Sequence, residues 1–222
     1  MNKLLSALLT LAMVLSLSAC GGGVSGSSQS GPSGSGSLSI PDTPAQDAPS
    51  ESSEEPAASN EADAGPVLVA YFSATGNTES VAERLQTVLN ADLYEIVPAE
   101  PYSDADLNYG DSGCRANQEQ DDPGARPAIS GGVENMADYQ VIFLGYPIWW
   151  GDAPRIISTF LESYDFSGKT LVPFCTSGGS GIRASQDNLA ALTGDAQWLE
   201  GTRFNPGVSQ DALSDWVDGL GL

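Results

Sequence analysis

The sequence predicts an α/β domain built on a parallel sheet with helices on both faces. Three observations predict it. Val67 to Phe72 and Val141 to Leu144 are continuous apolar runs, the pattern of strands buried on both sides. Between the apolar runs lie stretches whose apolar residues recur at helical spacing. Strand and helix signals alternate along residues 66 to 222, as a parallel sheet requires.

In chain order, Val67 to Phe72 is the first strand. Thr78 to Asn90 then places Val81, Ala82, Leu85, Val88 and Leu89 on one helical face. A short strand is expected at Asp92 to Val97, and Val141 to Gly145 is a second central strand. The next helix starts at Pro154, which suits a first turn because that N–H has no partner there, and its stripe is Ile156, Ile157, Phe160, Leu161 and Tyr164. Thr170 to Cys175 reads as a strand despite Pro173, a residue that avoids central strands. Helices follow at 183 to 192 and 209 to 220, the second capped by Ser209, with a strand at Gln197 to Phe204 between them.

The whole chain has 222 residues, 29 acidic and 8 basic side chains, three cysteines and no histidine, for a net charge of −21. No Ser-His-Asp or Cys-His pair is possible, and Cys20, Cys114 and Cys175 are too few for a cysteine-only zinc site, so no metal is expected. So acidic a chain is repelled by phosphodiester backbones, which argues against a nucleic-acid partner.

Residues 1–20 form a separate segment. One basic residue, Lys3, precedes an apolar run from Leu4 to Leu17 and the sequence Leu17-Ser18-Ala19-Cys20. The run is too short for a spanning helix, which needs about 20 apolar residues, and reads as an export signal. It resembles a bacterial lipoprotein signal, which implies a diacylglycerol on the Cys20 thiol and an exported protein anchored to the outer side of a bacterial membrane. The alternative is an ordinary cleaved signal with an incidental cysteine. Residues 21–65 hold 8 Gly, 12 Ser and 5 Pro, and all seven charges are acidic. With so little apolar surface this stretch is expected to be a disordered linker of roughly 35 to 40 Å reach.

In an open parallel sheet ligands bind at the carboxyl ends of the strands, so three loops of the 66–222 domain carry the site. Ser73-Ala74-Thr75-Gly76-Asn77-Thr78 runs into a helix and offers neutral donors to a phosphate. It lacks the Gly-Lys-Ser/Thr of triphosphate loops and the G-x-G-x-x-G of dinucleotide loops. A plain strand-to-helix turn is the bland alternative. Tyr146-Pro147-Ile148-Trp149-Trp150-Gly151-Asp152 offers two tryptophans to a flat aromatic ligand, though such pairs also mark interfaces. Thr176-Ser177-Gly178-Gly179-Ser180-Gly181 lets a ligand approach the backbone closely. Together the three describe a planar heteroaromatic carrying one phosphate.

On these motifs residues 66 to 222 resemble a flavodoxin-type domain. The resemblance implies a three-layer α-β-α sandwich with a five-stranded parallel sheet in the order 2-1-3-4-5 and FMN as cofactor. The 73–78 loop matches the family's phosphate loop, and Pro147 to Gly151 with Thr176 to Gly181 match the loops that enclose the flavin ring. The chain is similar to a subfamily with Tyr-Pro-Ile-Trp-Trp after the third strand and a long insert before it. Here the insert spans Pro98 to Asp138 and includes Asp106-Leu107-Asn108-Tyr109 and Arg115-Ala116-Asn117. It is expected to hold a short helix and a flap beside the flavin.

The resemblance also implies electron transfer. A domain charge of −15 opposes reduction of the flavin to an anion, so a carrier of low potential is expected, docking with a basic face of a redox partner or serving a small quinone or flavin acceptor. The competing reading is an NAD(P)H-dependent quinone or FMN oxidoreductase on the same scaffold, with Arg155 and Arg183 as candidates for the cosubstrate's phosphates. A third is a tethered lipoprotein that binds a phosphorylated ligand without redox activity. A tyrosine phosphatase of this topology is set aside, because seven residues rather than five separate Cys175 from Arg183. A Cys114–Cys175 disulfide is arithmetically possible, and Asp152 is either a helix cap or a contributor to the flavin's field.

Overall fold

The computed structural model describes residues 65–222. Expectations that concern residues 1–64, including Cys20 as a lipidation site and the linker, lie outside the described residues.

Five sheet strands follow in chain order as β1 (Val67–Tyr71), β2 (Asp92–Glu95), β5 (Val141–Pro147), β6 (Thr170–Thr176) and an edge divided into β7 (Gln197–Trp198) and β8 (Thr202–Phe204). All pairings in this sheet are parallel, in the order β2-β1-β5-β6 with β7 and β8 both on the outer side of β6. This is the expected 2-1-3-4-5 order with its fifth strand broken in two.

Side-chain alternation along the strands divides the core into two layers. Leu68, Ala70 and Phe72 of the first run, Ile142, Leu144 and Tyr146 of β5, and Leu171 and Cys175 of β6 face helix α3 (Arg155–Glu162) through Ile156, Ile157, Phe160 and Leu161. Val69, Tyr71, Val141, Phe143, Val172 and Phe174 face the other way, onto α1 (Asn77–Leu89) through Val81, Ala82 and Leu85, and onto α5 (Gln210–Asp218) through Leu213. Both faces of the sheet are covered, which is why its strands read as unbroken apolar runs.

Pro173 explains the broken edge. Leu199 N–H reaches Leu171 O at 3.0 Å, so alternate residues of β6 turn their backbone groups toward this edge, and Pro173 has no N–H to offer it. A Cβ on Gly201 would lie 2.7 Å from the Pro173 ring and 2.8 Å from its carbonyl oxygen. The chain detours here, and Gln186 of α4 (Arg183–Ala190) patches the gap: its amide donates to Leu199 O at 2.9 Å and accepts from Gly201 N at 3.0 Å.

Several boundaries differ from expectation. The second strand stops at Glu95. Val97–Pro98 (β3) instead pairs antiparallel with Ile129–Ser130 (β4). Pro154 precedes α3 as its N-cap, and α3 ends at Glu162, so Tyr164 lies past the helix, where its hydroxyl accepts from Val133 N at 2.7 Å. The fourth helix ends at Ala190 and the last spans 210–218, with Ser209 accepting from Ala212 N as expected of its cap.

The insert is folded and contains the expected short helix, α2 (Arg115–Asp121). Arg115 pairs with Glu119 at 2.6 Å, stands 4.1 Å over the Tyr102 ring and donates to Glu100 O at 2.7 Å. Tyr102 donates to Glu119 as well, and burial together with that bond pushes its hydroxyl pKa far up. Arg126 reaches out of the insert to grip Glu162 at the end of α3 through two nitrogens, both at 2.7 Å.

Candidate functional site

A cleft of about 580 Å³ opens at the carboxyl ends of β1, β5 and β6. It draws residues from all three loops singled out in the sequence, and no charged side chain lines it. On a domain with a net charge of −15, this cleft has an uncharged lining, and Glu79 in the first turn of α1 is the carboxylate beside its first loop, its Oε2 lying 3.7 Å from where a Cβ on Gly76 would stand.

The first wall is local in sequence. After Phe72, whose N–H still bonds Gly145 O at 2.9 Å, the chain turns through Gly76 into α1. Gly76 has φ +79°, the left-handed region that glycine adopts without steric cost, and it stands at the N-cap. Glycine has no side chain to cap the helix, so first-turn N–H groups of α1 are left for a ligand. Ser73 Oγ beside them is buried without a hydrogen-bond partner. Thr75 accepts from Asn77 Nδ2 at 3.1 Å, and the buried Thr78 hydroxyl meets that of Thr176 at 2.8 Å, tying the first loop to the third. Neutral donors at the positive end of a helix dipole suit a phosphate.

The second wall gives its two tryptophans different environments. Trp149 N–H bonds Asp152 O at 2.9 Å and Asp152 N–H bonds Trp149 O at 3.0 Å. The two residues between have φ +50° at Trp150 and +84° at Gly151, the positive pair that marks a tight primed turn. Such a turn throws its tip residue outward. Trp150 is 53% exposed at the cleft mouth, whereas Trp149 is 5% exposed and packs edge-on against Phe72 and Tyr102 at 5.7 and 5.4 Å. A non-glycine residue held at positive φ stores backbone strain, here at the lip of the cleft.

In the third loop Thr176 is buried at the end of β6, and Ser177 and Gly178 line the cleft. Ser177 closes its own loop, donating to Ser180 O and accepting from Gly179 N. Of the residues proposed from sequence, Ser73, Ala74, Thr75, Asn77, Thr78, Pro147, Ile148, Trp149, Trp150, Thr176, Ser177 and Gly178 come together around the cleft. Gly76 and Gly151 shape the walls through their backbone, while Gly179, Ser180 and Gly181 are not among the lining residues.

Two lining residues had no assigned role in the sequence reading. Tyr109 comes from the insert, whose Asp106-Leu107-Asn108-Tyr109 stretch was expected to lie in a flap beside the flavin without this side chain being singled out. Pro206 follows β8, and its position after a strand end could have flagged it.

Asp152 faces away from the cleft's lining and fastens the turn: it accepts from Ala153 N at 2.8 Å, Arg155 at 3.1 Å and Asn188 at 3.2 Å. Arg155 is engaged by that pair and by Gln120 O at 2.9 Å, and it lines a separate cavity of about 330 Å³, so the sequence-based candidacy of Arg155 for a cosubstrate's phosphate fails. Gln120 also donates to Trp149 O at 3.1 Å, which latches α2 onto the tryptophan turn. Arg183 is exposed at the start of α4 and makes no ion pair among the described residues. Cys114 and Cys175 are both buried and unbonded to each other. Burial pushes the Cys175 thiol up to about 12, so it packs as a small hydrophobe. Among the described residues no cluster of metal-ligating side chains occurs, and no helix is long and apolar enough to cross a membrane.

The sheet order and the cleft at its strand ends define a doubly wound α/β protein with its candidate site where such sheets take ligands. The chain belongs to the flavodoxin family, whose sequence pattern it matches over residues 66–220. Among solved structures it is similar to a provisionally assigned flavoprotein of Bacteroides eggerthii, with 46% identity over 71% of this chain and 99% of the other and a TM-score of 0.68. A provisionally assigned flavoprotein of Bacteroides uniformis shares 42% identity over 69% and 98%, with a TM-score of 0.67. A Lactobacillus acidophilus flavoprotein solved in complex with FMN shares the fold at 24% identity over 72% and 100%, with a TM-score of 0.55. No curated protein matches the chain.

Proposed function

We propose that the cleft binds FMN and that the protein exchanges electrons through it at low potential, held by lipid on Cys20 at the outer side of a bacterial membrane. Family membership and the FMN complex of the Lactobacillus acidophilus flavoprotein support FMN as the cofactor. The observation that carries the reading is the pairing of an uncapped helix N-terminus and a partnerless buried Ser73 hydroxyl at one end of an uncharged cleft with an exposed Trp150 at the other.

These residues fit the group. Ser73, Thr75 and the first-turn N–H groups of α1 would hold the phosphate, and Thr78 fixes that wall against Thr176. Trp150 would stack on the ring, and its turn is braced from behind by Asp152 and Gln120. FMN, when bound, supplies reversible one- and two-electron chemistry that no side chain here can. The protein's contribution is the field: an acidic domain around an apolar ring site disfavours added negative charge on the ring.

The purified protein reconstituted with FMN and reduced stepwise tests this. Flavin absorption bands that move on binding, with a midpoint potential below that of free FMN, are the expected result; an unchanged free-flavin spectrum would overturn it. For the tether, Cys20→Ser is expected to release the protein from the membrane fraction, and its retention there would count against lipidation.

A further inference from the structure

We propose that Tyr109 is a ring-binding residue of the cleft, contacting the flat ring of the bound cofactor and not its phosphate. The inference rests on the FMN reading above and adds to it a residue that lies outside all three strand-end loops.

Tyr109 is carried by the insert, yet it lines the cleft and stands 49% exposed at its mouth. Its ring centroid is 5.0 Å from Trp150 at an interplanar angle of 80° and 6.2 Å from Trp149 at 61°. The two indoles are themselves 6.5 Å apart at 79°. Three aromatic planes, each steeply inclined to the other two, make a corner. A ring laid flat on one of them presents its edges to the others, and an edge against an aromatic face is a favoured contact because the quadrupoles are complementary. A corner therefore rewards a rigid flat ring, whereas a ribityl chain or a lone phosphate gains nothing from it.

The wall is also held in place. Tyr109 N–H bonds Leu107 O at 2.9 Å, and Tyr109 O accepts from Asn117 of α2 at 3.3 Å. The same helix is latched to the tryptophan turn through Gln120. Its backbone is thus tied to the turn that carries Trp150, while its hydroxyl bonds to no described residue. A half-exposed aromatic side chain, fixed through its backbone and set against the two indoles at the cleft mouth, is placed to meet a ligand.

The test uses the full chain titrated with FMN and with riboflavin, which has the ring and lacks the phosphate, following flavin fluorescence. Tyr109→Ala is expected to weaken both ligands by the same factor, about five- to tenfold. Tyr109→Phe should remain within about twofold of the unaltered protein, since the ring and not the hydroxyl makes the contact. Ser73→Ala should weaken FMN alone. A Tyr109→Ala protein that binds riboflavin as tightly as before, or loses FMN only, overturns the inference while leaving the FMN reading intact. If the unaltered chain binds neither flavin, the FMN reading falls and this one with it. The thermal midpoint of each apo protein checks folding, and Tyr109→Leu, which keeps bulk without aromaticity, replaces the alanine variant if that one unfolds; undiminished riboflavin affinity in it is equally fatal.

Discussion

The two ends of the cleft are built in opposite ways. The end proposed for the phosphate is six consecutive residues, 73 to 78, shaped by one left-handed glycine and the start of a helix. The ring end joins a turn at 149 to 152 with Tyr109 from forty residues earlier and is braced by Gln120 and Arg155. Backbone groups dominate the first and side chains the second. Apart from the Ser73 and Thr75 hydroxyls, the phosphate end should therefore tolerate side-chain changes and fail on a backbone change, and the ring end the reverse.

The largest effect separates the adjacent tryptophans. Trp149→Ala removes a side chain buried among Phe72, Tyr102 and Tyr109 and is expected to cost about 3 to 5 kcal/mol of folding stability, measured by denaturant unfolding. Trp150→Ala leaves stability within about 0.5 kcal/mol, since the side chain is exposed and its replacement stays at positive φ. Its cost should fall on FMN and riboflavin binding, about tenfold each in a fluorescence titration. Equal stability losses in the two variants would contradict the division of roles.

Next comes the phosphate end. Gly76→Val places a β-branched residue at φ +79° and should shift the first-turn N–H groups. FMN binding is expected to fall about ten- to a hundredfold, the scale of a lost charge-assisted hydrogen bond or two, with riboflavin little changed. Gln120→Ala is smaller: losing one bond to Trp149 O should loosen ring binding by about two- to fivefold and spare inorganic phosphate binding.

The smallest effect is in pH. The Arg126 fork holds the Glu162 carboxyl below its usual value, so its contribution to stability is present above the ordinary glutamate range and is lost as pH falls through the lowered pKa. Glu162→Gln should flatten the acid limb of the thermal midpoint against pH slightly. An identical limb in the variant would mean that this surface clamp does nothing to hold the insert.

What could be read in the sequence follows the same divide. Strands buried on both faces announce themselves as apolar runs, so the central strands were legible; their order followed from the family resemblance, and the contiguous 73–78 loop could be placed as one wall of the cleft. The broken edge strand was not, because the consequence of Pro173 depends on which neighbour its missing N–H would face. Nor was the exposure of one tryptophan over the other, which a turn with two positive φ values decides. The insert was placed beside the cleft by the family resemblance alone, and Tyr109 could not be singled out within it, since no periodicity links an insert to a loop forty residues on. Arg155 was misread for the same reason: its partner Gln120 lies in that insert.

The central claim is that one cleft grips a phosphate by backbone and a flat ring by aromatic side chains. Parallel fluorescence titrations of the unaltered protein with FMN and riboflavin test it most directly. The expected result is saturable one-to-one binding of both, with FMN tighter by about ten- to a hundredfold, the share of the phosphate end. Equal affinity for the two flavins, or binding of neither, would contradict it.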